Sequence, residues 1–253
     1  MSLFAIGDTH LSFGSDKPMD IFSGWQNFER RLEENWRGVV SGDDIVVIAG
    51  DVTWAMTMDG ALRDFQFLDS LPGTKLIMKG NHDYWWTTKT KADTFFAAHG
   101  LTTLHILNNN AYRFGNVAVC GTRGWFFDCA DTPDGREDNP CDGDNPCDGD
   151  NPCDGDKKVL LREAGRLRMS IKAGKALGGE LVAFLHYPPV TVDGACCHEI
   201  FDILVDEGIG RCYFGHLHGP ACRAAVNGEV RGVRLSLISA DYLRFCPKLV
   251  QRF

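Results

Sequence analysis

Five short apolar runs in this chain stop at residues that can bind a metal, and that recurrence constrains the fold more than any other feature. Leu3 to Ile6 is followed by Gly7-Asp8-Thr9-His10, Ile45 to Ala49 by Gly50-Asp51, and Leu76 to Lys79 by Gly80-Asn81-His82-Asp83. Leu181 to Leu185 leads directly into His186, and Cys212 to Phe214 into Gly215-His216-Leu217-His218. Apolar runs of this length closed by turn residues read as buried strands, and Val117 to Cys120 and Val233 to Ser239 read the same way. In an open α/β sheet the ligand site lies beyond the carboxyl ends of the strands, so residues spread from 8 to 218 can converge there.

Between the runs, apolar residues recur at helical spacing: Trp25, Phe28, Leu32, Trp36 and Val39, and again Leu160, Ala164, Leu167 and Ile171. Shorter helices are predicted over 60–69, 89–98 and 199–206. Strand alternating with helix is the pattern of an α/β sheet with crossover helices, and the close spacing of the last strands predicts hairpins. With 253 residues, 44% of them hydrophobic and 24% charged, a single domain over 1–253 can bury a large core. No apolar run approaches the roughly 20 residues of a membrane-spanning helix, and the first residues lack a basic, export-type leader. The expectation is a cytoplasmic protein with no membrane partner.

The formal net charge is −8, but Asp138 to Asp156 holds seven Asp and no Lys or Arg, so the rest of the chain carries only −1. A nearly neutral remainder argues against broad binding to nucleic acid, which enters only as a substrate. The acidic stretch is a tandem repeat of DNPCDG starting at Asp138, Asp144 and Asp150. Pro, Gly and Asp bury little apolar area, so 138–156 reads as a low-complexity loop insertion. Ten Cys in a chain this long, two of them in strand-like runs, fit reduced thiols better than a disulfide scaffold.

Asp8, His10, Asp51, Asn81, His186, His216 and His218 offer oxygen and imidazole nitrogen and no thiolate. That set suits Mn, Fe, Zn or Co better than Mg or Ca. Seven donors exceed what one tetrahedral ion takes, whereas two divalent metal ions sharing Asp51 use them all and leave open positions. Two ions about 3.5–4 Å apart lower the pKa of a bridging water and clamp the oxygens of an in-line phosphoryl displacement.

In order and spacing, DTH, GD, GNHD, a lone His after a strand, and GHLH resemble the calcineurin-like metallophosphoesterase superfamily, over residues 7 to about 218. The resemblance implies a four-layer α/β/β/α sandwich of two mixed sheets flanked by helices. It implies a dinuclear, metal-dependent phosphoester hydrolase with a metal-bridging hydroxide as nucleophile. Asp8, His10 and His218 would hold the first metal, Asn81, His186 and His216 the second, and Asp51 would bridge. His82 would be the general acid that protonates the leaving-group oxygen, oriented by Asp83.

The chain departs from the protein Ser/Thr phosphatase branch, which has an Arg after its second motif and GNHE as its third. Here the residues are Gly50-Asp51-Val52-Thr53-Trp54 and GNHD, similar to the phosphodiesterase and nuclease branches. A phosphodiesterase acting on a small or nucleotide-like substrate is therefore expected, ahead of a phosphomonoesterase or protein phosphatase, and ahead of a metal-bearing binding protein without turnover. Arg123, just past a strand end, is either a contact to substrate phosphate or a surface residue. Trp54, Tyr84, Trp85 and Trp86 either line the site or pack its loops, and packing is the commoner use of such residues. His99, His105 and His198 read as structural.

Overall fold

The structure is a computed structural model that describes residues 1–125, 152–191 and 194–253, and the backbone alone for 152–156. Strands β1 (Ser2–Ile6), β2 (Ile45–Ile48), β3 (Thr74–Ile77) and β4 (Leu104–Ile106) alternate with helices α1 (Phe28–Val39), α2 (Leu62–Ser70) and α3 (Lys89–Ala98). The second half contains β5 (Tyr112–Phe114), β6 (Val117–Thr122), α4 (Pro152–Leu177), β7 (Glu180–Leu185), α5 (His198–Asp206), β8 (Arg211–Phe214), β9 (Gly228–Val230), β10 (Val233–Leu237) and β11 (Lys248–Arg252).

One sheet has the order β11-β1-β2-β3-β4, parallel except for β11. The other has the order β5-β6-β7-β8-β10-β9, with a parallel centre and antiparallel β5 and β9 at its edges. All seven strands expected from apolar runs are present. The four not expected as strands, β4, β5, β9 and β11, are the four sheet edges, β4 lying in the short apolar run Leu104 to Leu107. An edge strand is paired on one side only and can be short and partly solvated, so β5, β9 and β11 leave no apolar run in the sequence. Of the expected hairpins, β9 and β10 form one through Arg231 and Gly232, both at positive φ as a two-residue turn requires. The expectation fails beyond that pair, because β10 runs parallel to β8 and β11 crosses to the other sheet.

Side chains alternate along each strand and so define four layers. Phe4, Ile6, Val46, Ile48 and Ile77 face one apolar cluster with Phe28, Leu32 and Trp36 of α1 and Phe65 and Leu68 of α2. Their neighbours Leu3, Ala5, Ile45, Val47 and Leu76 face Val117, Val119, Val182, Phe184 and Tyr213 of the second sheet. On the far side of that sheet, Cys120, Ala183, Leu185, Cys212 and Phe214 pack on Leu160, Leu167 and Ile171 of α4 and Ile200, Phe201 and Leu204 of α5. The order is therefore helices, sheet, sheet, helices.

Most of the acidic repeat lies outside the described residues. Its last five residues, Pro152 to Asp156, are the first turn of α4, which corrects the loop reading there. Pro suits the first position of a helix, where its missing N–H would have no intrahelical partner. No helix among the described residues is long and apolar enough to cross a membrane.

One buried charge stands out in the first sheet. Lys75 is fully buried on β3, and its ammonium donates to the carbonyls of Leu71 (2.5 Å) and Gly73 (2.8 Å). Burial pulls its pKa from 10.5 to about 8. Between those values the unfolded chain holds a proton the folded protein has released, so unfolding becomes harder as pH rises. Relative to Lys75→Met, the wild type should gain stability in urea titrations from about pH 8 to pH 10. Parallel pH dependences in the two proteins would show that Lys75 stays charged.

Candidate metal centre

The loops that follow the strands are held in conformations most residues avoid. Asp8 (φ 58°), His10 (44°), Asp51 (51°) and His216 (72°) all adopt left-handed backbone, and all are motif residues. Such geometry costs roughly 1–3 kcal/mol per residue and persists only where the surroundings enforce it. The enforcement is a backbone ladder between loops: Asp8 N–H donates to Gly50 (2.9 Å), His10 to Asp51 (2.9 Å), Gly7 to Ile238 (2.7 Å) and Gly215 to His186 (3.0 Å). At Gly50 (φ 86°) a Cβ would lie 2.7 Å from the Gly80 backbone and 2.9 Å from His186 Nδ1. Only glycine permits that approach between the second and third motif loops.

Asp83 is the knot of those two loops. Its buried Oδ2 accepts from the N–H of Asp51 (2.8 Å) and Gly80 (2.7 Å), and Oδ1 accepts from Val52 (2.9 Å), Thr53 (3.4 Å) and the Trp85 indole (2.9 Å). It makes no hydrogen bond to the His82 ring, whose Nδ1 is buried without a partner. The expected contact from Asp83 to the His82 ring is thus absent, because the carboxylate is taken up by four backbone donors and the Trp85 indole.

The seven expected metal donors do come together. Asp8, His10 and His218 present ligand atoms within 4.8 Å of one another, and so do Asp8, Asp51 and His186. His10 Nε2 and His218 Nε2 are 3.1 Å apart, and His218 Nε2 is 3.5 Å from Asp8 Oδ1. Asn81 Oδ1 lies 2.7 Å from His186 Nε2 and 3.0 Å from His216 Nδ1. Asp51 spends Oδ1 on the His82 N–H (2.8 Å), while Oδ2 sits between the groups, 3.8 Å from His10 Nε2 and 3.5 Å from His186 Nε2. Asp8 belongs to both donor groups and Asp51 to the one with His186, whereas sequence reading assigns the sharing to Asp51 alone.

The electrostatics fit divalent cations. Burial, followed by the charges of Asp83 and Asp8, pushes Asp51 well above the usual carboxylate range. Burial, then neighbouring imidazoles, pulls His10 well below 6.5, and His186 and His216 fall to about 3, chiefly from burial. Neutral imidazoles with free lone pairs are ligands, and a cation beside Asp51 would restore its ionised form. His218 differs: burial lowers it, but hydrogen bonds to Asp241 and Asp8 outweigh that and raise it to about 10.

Asp241 escapes a reading of the sequence. It follows β10 with no glycine, and its role depends on a contact across 23 residues, His218 Nδ1 to Oδ1 at 3.1 Å. Its one sequence signal is that it too is an acid just past a strand. Arg123 is not the surface residue that one of its two expected readings makes it. Its side chain, 11% exposed, lies 3.7 Å from buried Glu163 and over the Trp125 ring, while its carbonyl accepts the N–H of His186 and Tyr187 at 2.9 Å. The aromatics divide. Trp85 is buried against Phe65, and Trp86 packs on it. Trp54 instead stacks on His10 (4.9 Å, 20°) and lies 4.4 Å from His82, with the Lys17 ammonium 5.6 Å from its ring.

A family model described as calcineurin-like phosphoesterase matches residues 1–220. Among solved structures, the chain is similar to phosphopantetheinyl hydrolase from Mycobacterium tuberculosis, with 15% identity, 98% of this chain and 95% of that one covered, and a TM-score of 0.58. TT1561 of Thermus thermophilus is similar at 12% identity, with 99% and 97% covered and a TM-score of 0.54. No curated protein matches the sequence.

If Asp83 ties the loops as described, Asp83→Asn sets an amide N–H against backbone donors and should cost about 2–4 kcal/mol, with metal content falling alongside. Unchanged thermal stability in that variant would return Asp83 to the service of His82 alone.

Proposed function

The chain belongs to the calcineurin-like phosphoesterase family and is a metal-dependent phosphoester hydrolase, and on that premise we propose that it is a phosphodiesterase acting on a small or nucleotide-like substrate. The hydrolase chemistry is supported most by the meeting of two donor groups, one with His218 and His10, the other with His186 and Asp51, around Asp8, and the diester preference by GNHD and the absence of an Arg directly after the Gly50-Asp51 motif. The family is typically dinuclear, and these residues fit two divalent ions. Ions in such a centre supply Lewis acidity and a water of lowered pKa.

The protein's own residues do the rest. Asp8, His10 and His218 would hold the first ion, Asn81, His186 and His216 the second, and Asp51 would serve both. His82, next in the chain to Asn81, is the general acid. Burial, only partly offset by Asp8, leaves its pKa at about 4 in the free protein. An anionic phosphoester arriving beside it favours the imidazolium, so the proton is taken up where the leaving oxygen needs it. Trp54, packed against both His10 and His82, holds the two rings in place. Arg123, whose carbonyl anchors the His186 loop and whose guanidinium lies over the Trp125 ring, is assigned to the substrate phosphate. The buried thiols Cys120 and Cys212, free of any disulfide, support a reducing, cytoplasmic setting.

The test compares Mn-dependent hydrolysis of bis(p-nitrophenyl) phosphate with that of p-nitrophenyl phosphate, with Asp51→Asn as the blank. The diester should be preferred. Preference for the monoester would move the protein to the phosphatase reading, and a fully metallated preparation that cleaves neither would make it a binding protein. On an alkyl diester, whose alkoxide leaves poorly, His82→Ala should lower turnover by about 10²–10⁴ with metal content unchanged. Metal loss in that variant would make His82 a ligand instead.

A further inference from the structure

Beyond the family's matched segment, the last 33 residues contribute a carboxylate to the metal centre. We propose that Asp241 is a positioning residue that fixes the ring of His218 with Nε2 toward the first ion, an inference that rests on the metal assignment above. His218 Nδ1 lies 3.1 Å from Asp241 Oδ1, while Oδ2 accepts the Gly219 N–H at 2.7 Å. One carboxylate therefore grips both the ring and the backbone just beyond it. An anionic acceptor can only receive a proton from Nδ1, so Nε2 is the nitrogen that would present a lone pair once a cation displaces its proton. Nε2 is the atom that faces Asp8 Oδ1 at 3.5 Å and His10 Nε2 at 3.1 Å.

The other rings show why this contact matters. His186 is oriented by a backbone carbonyl, with Nδ1 3.1 Å from Ala49 O. His10 Nδ1 is buried without any partner, so nothing behind the ring orients it from that nitrogen. In the group Asp8, His10 and His218, Asp241 is thus the side chain that fixes an imidazole. A carboxylate behind a metal-bound histidine commonly accounts for about 10–100-fold in metal affinity.

Asp241 is also held in register with the residues it serves. The segment before it zips onto the end of β1: Gly7 donates to Ile238 (2.7 Å), Ala240 donates back to Gly7 (2.9 Å), and Ser239 bridges Gly7. Asp8 is the next residue along the chain. The crossover from β10 to β11 therefore delivers Asp241 and closes the sheet beside β1 in one stroke. It continues into Phe245, which is buried against Trp25 and Phe28. Trp25 in turn meets the rings of His10 and His218 edge-on.

The full chain is tested as wild type, Asp241→Ala and Asp241→Asn, with Mn titrated by calorimetry into the chelator-stripped protein. The wild type should take up two ions. In Asp241→Ala one of the two should bind about 10–100-fold more weakly and the other as before. Asp241→Asn, whose amide oxygen can still accept from Nδ1, should lie between them. In the Zn-loaded wild type, nitrogen-detected NMR should show His218 protonated at Nδ1, a signature lost in Asp241→Ala. Two ions bound at wild-type affinity in Asp241→Ala, equal weakening of both ions, or His218 protonated at Nε2 would each overturn the proposal. Failure of the wild type to hydrolyse any diester would sink the phosphodiesterase reading while leaving the Asp241 result standing. A wild type that binds no metal would overturn both.

Discussion

Leu3, Ala5, Val47 and Leu76 of one sheet meet Val119, Val182 and Phe184 of the other in a shared apolar layer, and the rest of the molecule depends on how that layer is stacked. Each sheet has a parallel core, so each gathers its strand carboxyl ends on one edge. Stacking brings those two edges together. Asp8, Asp51 and Asn81 from the first sheet then face His186 and His216 from the second. The apolar layer is non-directional, but the pleat makes a slip of one residue turn every inward side chain to the helix-facing side, and the mismatch in packing sets the register.

At the polar edge, directional forces take over. The left-handed residues Asp8, His10, Asp51 and His216 are costly, and the cost is met by cross-loop hydrogen bonds and by the five donors on Asp83. A buried carboxylate with that many donors is a rigid support. It holds the GD and GNHD loops at a fixed separation while leaving Asp51 Oδ2 facing the ligand groups. Burial meanwhile keeps most imidazoles neutral and disfavours the charged form of Asp51. Both conditions are relieved by divalent cations.

How much of this is readable from the sequence follows from particular residues. The motif donors are legible because each sits one to four residues past an apolar run, a local pattern. The edge strands β5, β9 and β11 are not, since Tyr112–Phe114 or Lys248–Arg252 shows no buried run when one side of the strand is free. Asp83 is legible as a motif residue but not in its role, because its neighbour His82 is adjacent in sequence and turned away in space. Net charge and composition mark the acidic repeat correctly as unusual, yet miss that Pro152 begins a helix whose later residues carry the apolar stripe of α4.

By itself, the sequence determined the alternation of strand and helix, the central strands, and the chemistry available at their ends. Those follow from periodicity and from which side chains can donate to a metal, both of which are local. Only the tertiary structure decided that Asp83 binds backbone rather than His82, that Arg123 leans on Glu163, and that Asp241 stands behind His218. Each of these depends on which of several nearby partners a polar group reaches first. That choice is made by packing between segments far apart in the chain, and no spacing along the sequence records it.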